Sequence, residues 1–113
     1  MQITDRTTLI TEWVDVANAH DLDRYLTFFT DDVVLDDPSV GRSFRGKEGI
    51  AEYFTAYFIG FDTRTSLSKI EAQGEVLHVE VDFTGSFPGG HTGGFFDLTF
   101  ADSLIAHVRA DLT

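Results

Sequence analysis

The sequence predicts an α+β fold in which three helices pack on the concave side of a bent antiparallel sheet. Apolar residues recur with helical spacing as far as Gly60. Beyond Gly60 they alternate with polar residues, as they do in strands with one buried face. Helices followed by consecutive strands are typical of α+β domains. Because such a sheet bends around its helices, we expect a cone-shaped barrel that encloses a central space.

The composition indicates a single domain, residues 1–113. Hydrophobic residues make up 42% of the chain and include 11 Phe, enough to fill a core. The absence of cysteine excludes disulfides, thiol chemistry and Cys-ligated metal. The net charge of -11 argues against nucleic acid and membrane as partners. No apolar run approaches the roughly 20 residues of a membrane span and no signal peptide is evident, so we expect a cytoplasmic protein.

The first helix is predicted over residues 4–19, and Asp21 is a suitable N-cap for a second, short helix that continues to Phe29. A third helix, near 47–58, ends at Gly60. It carries one apolar stripe, formed by Ile50, Tyr53, Phe54, Tyr57 and Phe58.

Strands are predicted at residues 63–72, 75–87, 95–100 and 104–112. The second of these has the clearest alternation, with Leu77, Val79, Val81 and Phe83 facing one way. Residues 88–94 form a glycine-rich loop around His91 that could act as a lid. No helix follows this loop to supply amides, so the glycines do not indicate a phosphate site.

The segment Phe29–Pro38 (FTDDVVLDDP) contains a short strand, predicted at 33–36, that ends in two aspartates and a proline. Side chains alternate along a strand, so Asp37 shares a face with Val33 and Leu35, whereas Asp36 points the opposite way. A carboxylate beside an apolar wall loses hydration and becomes a stronger base. The alternative is that Asp37 only shapes the turn before Pro38, which favours extended geometry there.

Four segments together resemble the nuclear transport factor 2-like superfamily, which includes ketosteroid isomerase, scytalone dehydratase and the SnoaL-type polyketide cyclases. They are His20–Asp23, Phe29–Pro38, Arg45–Ile50 and Leu98–Ile105. The resemblance covers nearly the whole chain and implies the cone-shaped fold. It leaves the activity open, because such a fold hosts several chemistries as well as non-catalytic members.

The resemblance also assigns positions. Asp37 lies where ketosteroid isomerase has its general base. Trp13 takes the place of the oxyanion-hole tyrosine and Phe96 that of the protonated aspartic acid, so neither usual oxyanion donor is present. Asp97 is one residue away and faces the cavity only if a bulge intervenes.

Further candidates come from the residues themselves. Trp13 could donate its indole N–H to a ligand or simply belong to the core. The hydroxyls of Tyr53 and Tyr57 could reach the pocket as donors, and either residue, as an alternative to His107, could supply a proton or polarise a substrate oxygen. Otherwise both pack in the core with their hydroxyls at the rim. Phe54 lies on the same apolar stripe.

On the last strand, His107, Arg109 and Asp111 share a face with Ile105. If this face points inward, His107 supplies acid–base catalysis and Arg109 a cation for an anionic substrate. If it points outward, it is a solvated or dimer face. A second polar row, His78, Glu80 and Asp82, is collinear rather than convergent, so we expect no metal site there.

We therefore expect a pocket for a small hydrophobic molecule, with Asp37 and His107 as catalytic residues. Trp13, Tyr53, Phe54, Tyr57, Phe96 and Arg109 are the predicted substrate-binding residues. The predicted chemistry is isomerisation, cyclisation or elimination without a cofactor or metal. The alternative is a non-catalytic binding or association module. The resemblance also implies a homodimer that forms through the outer face of the sheet.

Overall fold

The computed structural model describes residues 3–113, with side chains described from Arg6 onward. The helices are α1 (Ile3–Asn18), α2 (Leu22–Leu26) and α3 (Gly46–Phe54), and a π-helical segment, Thr55–Ile59, continues α3. The strands are β1 (Phe29–Asp37), β2 (Arg42–Arg45), β3 (Arg64–Gln73), β4 (Val76–Thr84), β5 (His91–Ala101) and β6 (Leu104–Leu112). No helix within residues 3–113 is both long and apolar enough to cross a membrane.

The six strands form one curved sheet with the order β2-β1-β6-β5-β4-β3, and the α+β prediction is confirmed. Two details differ from the expected antiparallel barrel. The sheet is mixed, because β1 pairs with β6 in parallel while the other neighbours are antiparallel. It is also open, because β2 and β3 are edge strands. After β1, the chain passes through β2, α3 and the antiparallel strands β3 to β5 before it reaches β6. The last strand, β6, then lies beside β1 and runs in the same direction.

The helices fill the concave side of this sheet with aromatic rings. Tyr25 of α2 stacks on Phe54 of α3 at a centroid distance of 4.0 Å. Trp13 of α1 meets Phe96 of β5 edge-on at 5.1 Å. These contacts join helices and sheet in one core.

Several element ends differ from the sequence prediction. The strand β1 begins at Phe29 rather than Val33, and β2 lies where a loop was expected. The third helix widens after Phe54, where the Gly60 N–H bonds to the Thr55 carbonyl at 2.8 Å. A side chain at Gly60 would lie 2.6 Å from the Ala56 carbonyl oxygen, so glycine permits this close turn.

A bulge in β6 changes which side chains point inward. Ile105 pairs with Phe100 and His107 with Thr99, so one residue, Ala106, is left over on β6. The alternation therefore shifts by one residue. Ile105 is buried, as are Val108 and Ala110, whereas Arg109 is exposed. The prediction that Ile105 shares a face with His107 and Arg109 is wrong for this reason.

A candidate small-molecule cavity

A cavity of about 280 Å³ opens at one end of the sheet, between the π-helical segment and the loop that joins β4 to β5. Six of its thirteen lining residues are aromatic: Tyr53, Tyr57, Phe58, Phe61, Phe83 and Phe87. The other lining residues are Asp37, Ser39, Val40, Thr63, Pro88, Thr92 and Leu112. The cavity is therefore apolar and aromatic, with hydroxyl groups and a single carboxylate.

Asp37 supplies that carboxylate from the last position of β1. It lies on the same face as the buried Val33 and Leu35, as the alternation predicts, and only 6% of its surface is exposed. The backbone N–H of Ser39 donates to Asp37 Oδ1 at 3.0 Å, and the Ser39 hydroxyl donates to the same oxygen. Asp37 thus both shapes the turn around Pro38, as aspartates often do, and faces the cavity.

Tyr53 and Tyr57 reach the same cavity from α3 and the π-helical segment, with their ring centroids 5.6 Å apart. Burial raises the pKa of the Tyr53 hydroxyl well above its usual value. The nearby Asp37 carboxylate raises it further, through its negative charge and through hydrogen bonding. Tyr53 therefore stays protonated and keeps an O–H to donate beside Asp37.

Trp13, Phe54 and Phe96, predicted to bind substrate, lie in the core and not in the wall of this cavity. Phe54 is fully buried against Tyr25. The indole N–H of Trp13 is buried and has no hydrogen-bond partner among the described residues. Trp13 and Phe96 both line a separate void of about 10 Å³. An aromatic residue at helical spacing is found in cores as well as in pockets, so its spacing alone could not separate the two.

His107 and Arg109 lie on the outer face of the sheet, away from Asp37. His107 Nε2 is 2.9 Å from Asp36 Oδ2, and the Ser43 hydroxyl donates to the other oxygen of Asp36. The Ser43 bond, followed by that from His107, lowers the pKa of Asp36. The structure thus does not bring His107 to Asp37, because the β6 bulge and the strand alternation put it beside the neighbouring aspartate.

Asp97 also points outward, where it pairs with His78 rather than replacing a missing oxyanion donor. His78 Nδ1 lies 2.5 Å from Asp97 Oδ1, and His78 Nε2 lies 3.0 Å from Glu80 Oε2. Among the side chains that the structure describes, no three His, Asp or Glu residues are placed to hold a metal ion.

The pKa of His78 is raised, mainly by the hydrogen bond to Asp97 and further by Glu80, whereas desolvation by burial lowers it in part. A raised folded-state pKa stabilises the fold below the ordinary value of 6.5, and this stabilisation is lost as the pH rises through the folded value. We expect His78→Gln to lower the free energy of unfolding more at pH 5.5 than at pH 9. Urea denaturation at both pH values measures the difference. His91→Gln, at an exposed histidine, is the control, and an equal loss for His78→Gln at both pH values would contradict the prediction.

Several residues that line the cavity were not predicted from the sequence as site residues, among them Ser39, Phe61, Phe83 and Phe87. The alternation of β4 placed Phe83 on the buried face, but it could not show that this face ends in a cavity. The expected glycine-rich loop is shorter than predicted, since β5 already begins at His91. The strand β4 ends at Thr84, so the observed loop also contains Phe87, which was predicted to lie at the end of the strand. Phe87 meets Phe61 edge-on at 6.0 Å and lines the cavity.

A curved six-stranded sheet wrapped around three helices is the fold of the nuclear transport factor 2-like proteins. Residues 10–108 match the model of the SnoaL-like domain, and the chain belongs to that family. No curated protein matches the chain.

Solved structures with the same fold include a candidate polyketide cyclase from Sinorhizobium meliloti, 21% identical, with a TM-score of 0.84 and coverage of 97% of this chain and 99% of that one. A candidate ketosteroid isomerase from Kribbella flavida is 18% identical, with a TM-score of 0.80 and coverage of 94% and 76%. The epoxide hydrolase/cyclase-like enzyme SalBIII, with a role in pyran ring formation in the polyether salinomycin, is 17% identical, with a TM-score of 0.83 and coverage of 99% and 93%. At these identities the likeness shows the fold alone.

Proposed function

We propose that this protein is a cofactor-free acid–base enzyme that isomerises, cyclises or eliminates a small hydrophobic carbonyl compound. The observation that carries the proposal is the position of Asp37, a buried carboxylate in the wall of an otherwise apolar, aromatic cavity. A base held in such a place is prepared for proton abstraction. The isomerase and cyclase names of neighbours with this fold support the same reaction class.

In the proposed reaction, the Asp37 carboxylate takes a proton from the carbon next to the substrate carbonyl. The electrons of the C–H bond form the enolate, whose negative charge lies on the oxygen. Of the three candidates that could supply a proton or polarise the oxygen, His107, Tyr53 and Tyr57, we assign this role to Tyr53. It lies in the cavity wall with Asp37, and its raised pKa keeps the O–H in place. In isomerisation, another carbon of the enolate takes the proton back from Asp37 as the carbonyl re-forms. In elimination, the enolate electrons re-form the carbonyl and expel the leaving group, which takes the proton from Asp37. In cyclisation, the enolate carbon attacks an electrophilic carbonyl carbon of the same molecule, and the resulting alkoxide takes that proton.

The proposal is tested in two steps. A thermal-shift screen of small apolar carbonyl compounds identifies ligands, since a ligand that binds the folded state raises its stability. The hits are then incubated with the protein in deuterated buffer, and NMR follows exchange of the acidic C–H. Exchange above the solvent background supports the enzyme. Binding without exchange for every hit contradicts the enzyme and favours the alternative, a non-catalytic binding module.

One observation favours that alternative. Trp13 and Phe96, which occupy the usual oxyanion-donor positions, are core residues outside the cavity. A base without strong oxyanion donors is a weak catalyst, because oxyanion stabilisation is usually a large part of the rate enhancement. The exchange experiment therefore decides between the two functions.

We also propose a homodimer that forms through the outer face of the sheet. Charges of both signs lie across neighbouring strands there, including His78 and Asp97 next to Arg109, and Phe95 is only partly covered. A second copy would cover this face with complementary charges. Light scattering at micromolar concentration should give about twice the chain mass of 12.6 kDa. A mass of 12.6 kDa would contradict the dimer.

A further inference from the structure

We propose that the cavity selects compact organic cations of the tertiary or quaternary alkylammonium class over neutral or anionic molecules of the same shape. The inference rests on the proposed function only for the location of the site. It adds the charge of the ligand, which the family resemblance does not specify.

The residues that line the cavity carry negative charge and no positive charge. Asp37 is the only charged residue among those that line the cavity, and none of them is Lys, Arg or His. Arg109, which the sequence offered as a cation for an anionic substrate, is exposed on the outer face of the sheet. An anion in the cavity would therefore be repelled by the Asp37 carboxylate. No cationic lining residue would offset the cost of removing the anion from water.

The aromatic rings that line the cavity are suited to a cation. Tyr53 and Tyr57 are tilted by 51° to each other, and Phe61 and Phe87 lie at 82°. These rings therefore do not form one flat stack, and six aromatic residues in all line the cavity. Ring faces attract cations, and Trp, Tyr and Phe cages are the usual receptors of quaternary ammonium groups.

The volume of the cavity and the net charge of the protein also favour a small cation. A volume of about 280 Å³ is at the small end of ligand sites, which run from about 300 to 1,000 Å³, so the preferred ligand is compact. The net charge of -11 raises the local concentration of cations around the protein. An alkylammonium is also weakly hydrated, so it can enter an apolar cavity at lower cost than a metal ion or a primary ammonium. On binding, the alkylammonium would lose its weak hydration and gain the attraction of the Asp37 carboxylate and of the aromatic rings.

The test uses three probes with nearly the same shape: choline, its neutral carbon analogue 3,3-dimethylbutan-1-ol, and the anion 3,3-dimethylbutanoate. NMR titration of the wild-type protein at low salt gives the three Kd values. We expect choline to bind at least about tenfold more tightly than the neutral alcohol, and the anion not to bind. Equal or tighter binding of the alcohol, binding of the anion, or no binding of choline would each overturn the proposal.

Two matched variants separate the cavity from the general surface charge. Asp37→Asn should weaken choline at least about fivefold and leave the alcohol unchanged, because only the cation loses its counter-charge. Asp36→Asn makes the same change in net charge on the adjacent residue, which faces the outer side of the sheet, and should leave both probes unchanged. An equal loss of choline affinity in both variants would assign the binding to surface charge and overturn the proposal.

Choline selectivity and proton exchange are read in separate assays, so each proposal can fail alone. Exchange without cation preference would retain the enzyme and remove the ligand class. Cation preference without exchange would retain the ligand class and identify a binding protein. A substrate with both an ammonium group and a carbonyl would satisfy the two proposals together.

Discussion

Asp37→Asn should lower the rate of proton exchange from a bound carbonyl compound by about 10² to 10⁴-fold, the range that general acid–base catalysis contributes. Asparagine keeps nearly the same shape and an oxygen that can accept the Ser39 N–H, but it cannot take the substrate proton. Binding of a neutral ligand should survive, because the lost interaction belongs to the transition state. Exchange followed by NMR gives the rate, and titration of the same ligand gives its Kd.

Asp36→Asn provides the control for this prediction. Asp36 is the neighbouring residue on β1 with the same side chain, but it pairs with His107 and Ser43 on the outer face. Its replacement should leave the exchange rate unchanged. An Asp37→Asn protein that is folded and retains the wild-type rate would remove Asp37 as the base.

Phe54→Ala should lower the free energy of unfolding by about 3–5 kcal/mol, the usual cost of truncating a buried phenylalanine. Phe54 is fully buried, with its ring stacked 4.0 Å from that of Tyr25 and 5.4 Å from that of Phe58. Its removal leaves a cavity where α2, α3 and the π-helical segment meet. Urea denaturation followed by circular dichroism measures the loss.

Tyr57→Ala is the matched comparison, because Tyr57 is an aromatic residue three positions after Phe54 that is only partly buried and lines the cavity. This variant should cost less stability than Phe54→Ala but should weaken ligand binding. A loss below about 1 kcal/mol for Phe54→Ala, typical of surface positions, would contradict its place in the core.

Much of this fold follows from local patterns in the chain. The alternation of β4 predicted its buried face, and helical spacing predicted the stripe of α3. Asp37 was also predicted correctly to share the face of Val33 and Leu35, because an uninterrupted strand carries its alternation to its end. Each of these features depends only on residues that are close in sequence.

The sequence suggested His107, Tyr53 and Tyr57 as partners of Asp37, but which of them lies beside it could not be predicted in this way. His107 has the right chemistry and lies on the strand next to β1, but one extra residue at Ala106 shifts its side chain away from the cavity. A bulge depends on how β5 and β6 pair along their whole length, and no residue in β6 announces it. Tyr53 reaches Asp37 because α3 packs against the end of β1, which is likewise a tertiary contact.

The α+β class, the SnoaL-like family and the face on which Asp37 lies could all be inferred from the sequence alone. The periods of 3.6 and 2 and a few turn residues encode these properties locally. The folded structure was needed to show that the sheet is mixed and open, that Trp13 and Phe54 are core residues, and that Asp37 is the single charge among the described residues lining an aromatic cavity. These features arise where distant segments meet, so their geometry depends on strand register and packing rather than on any local pattern.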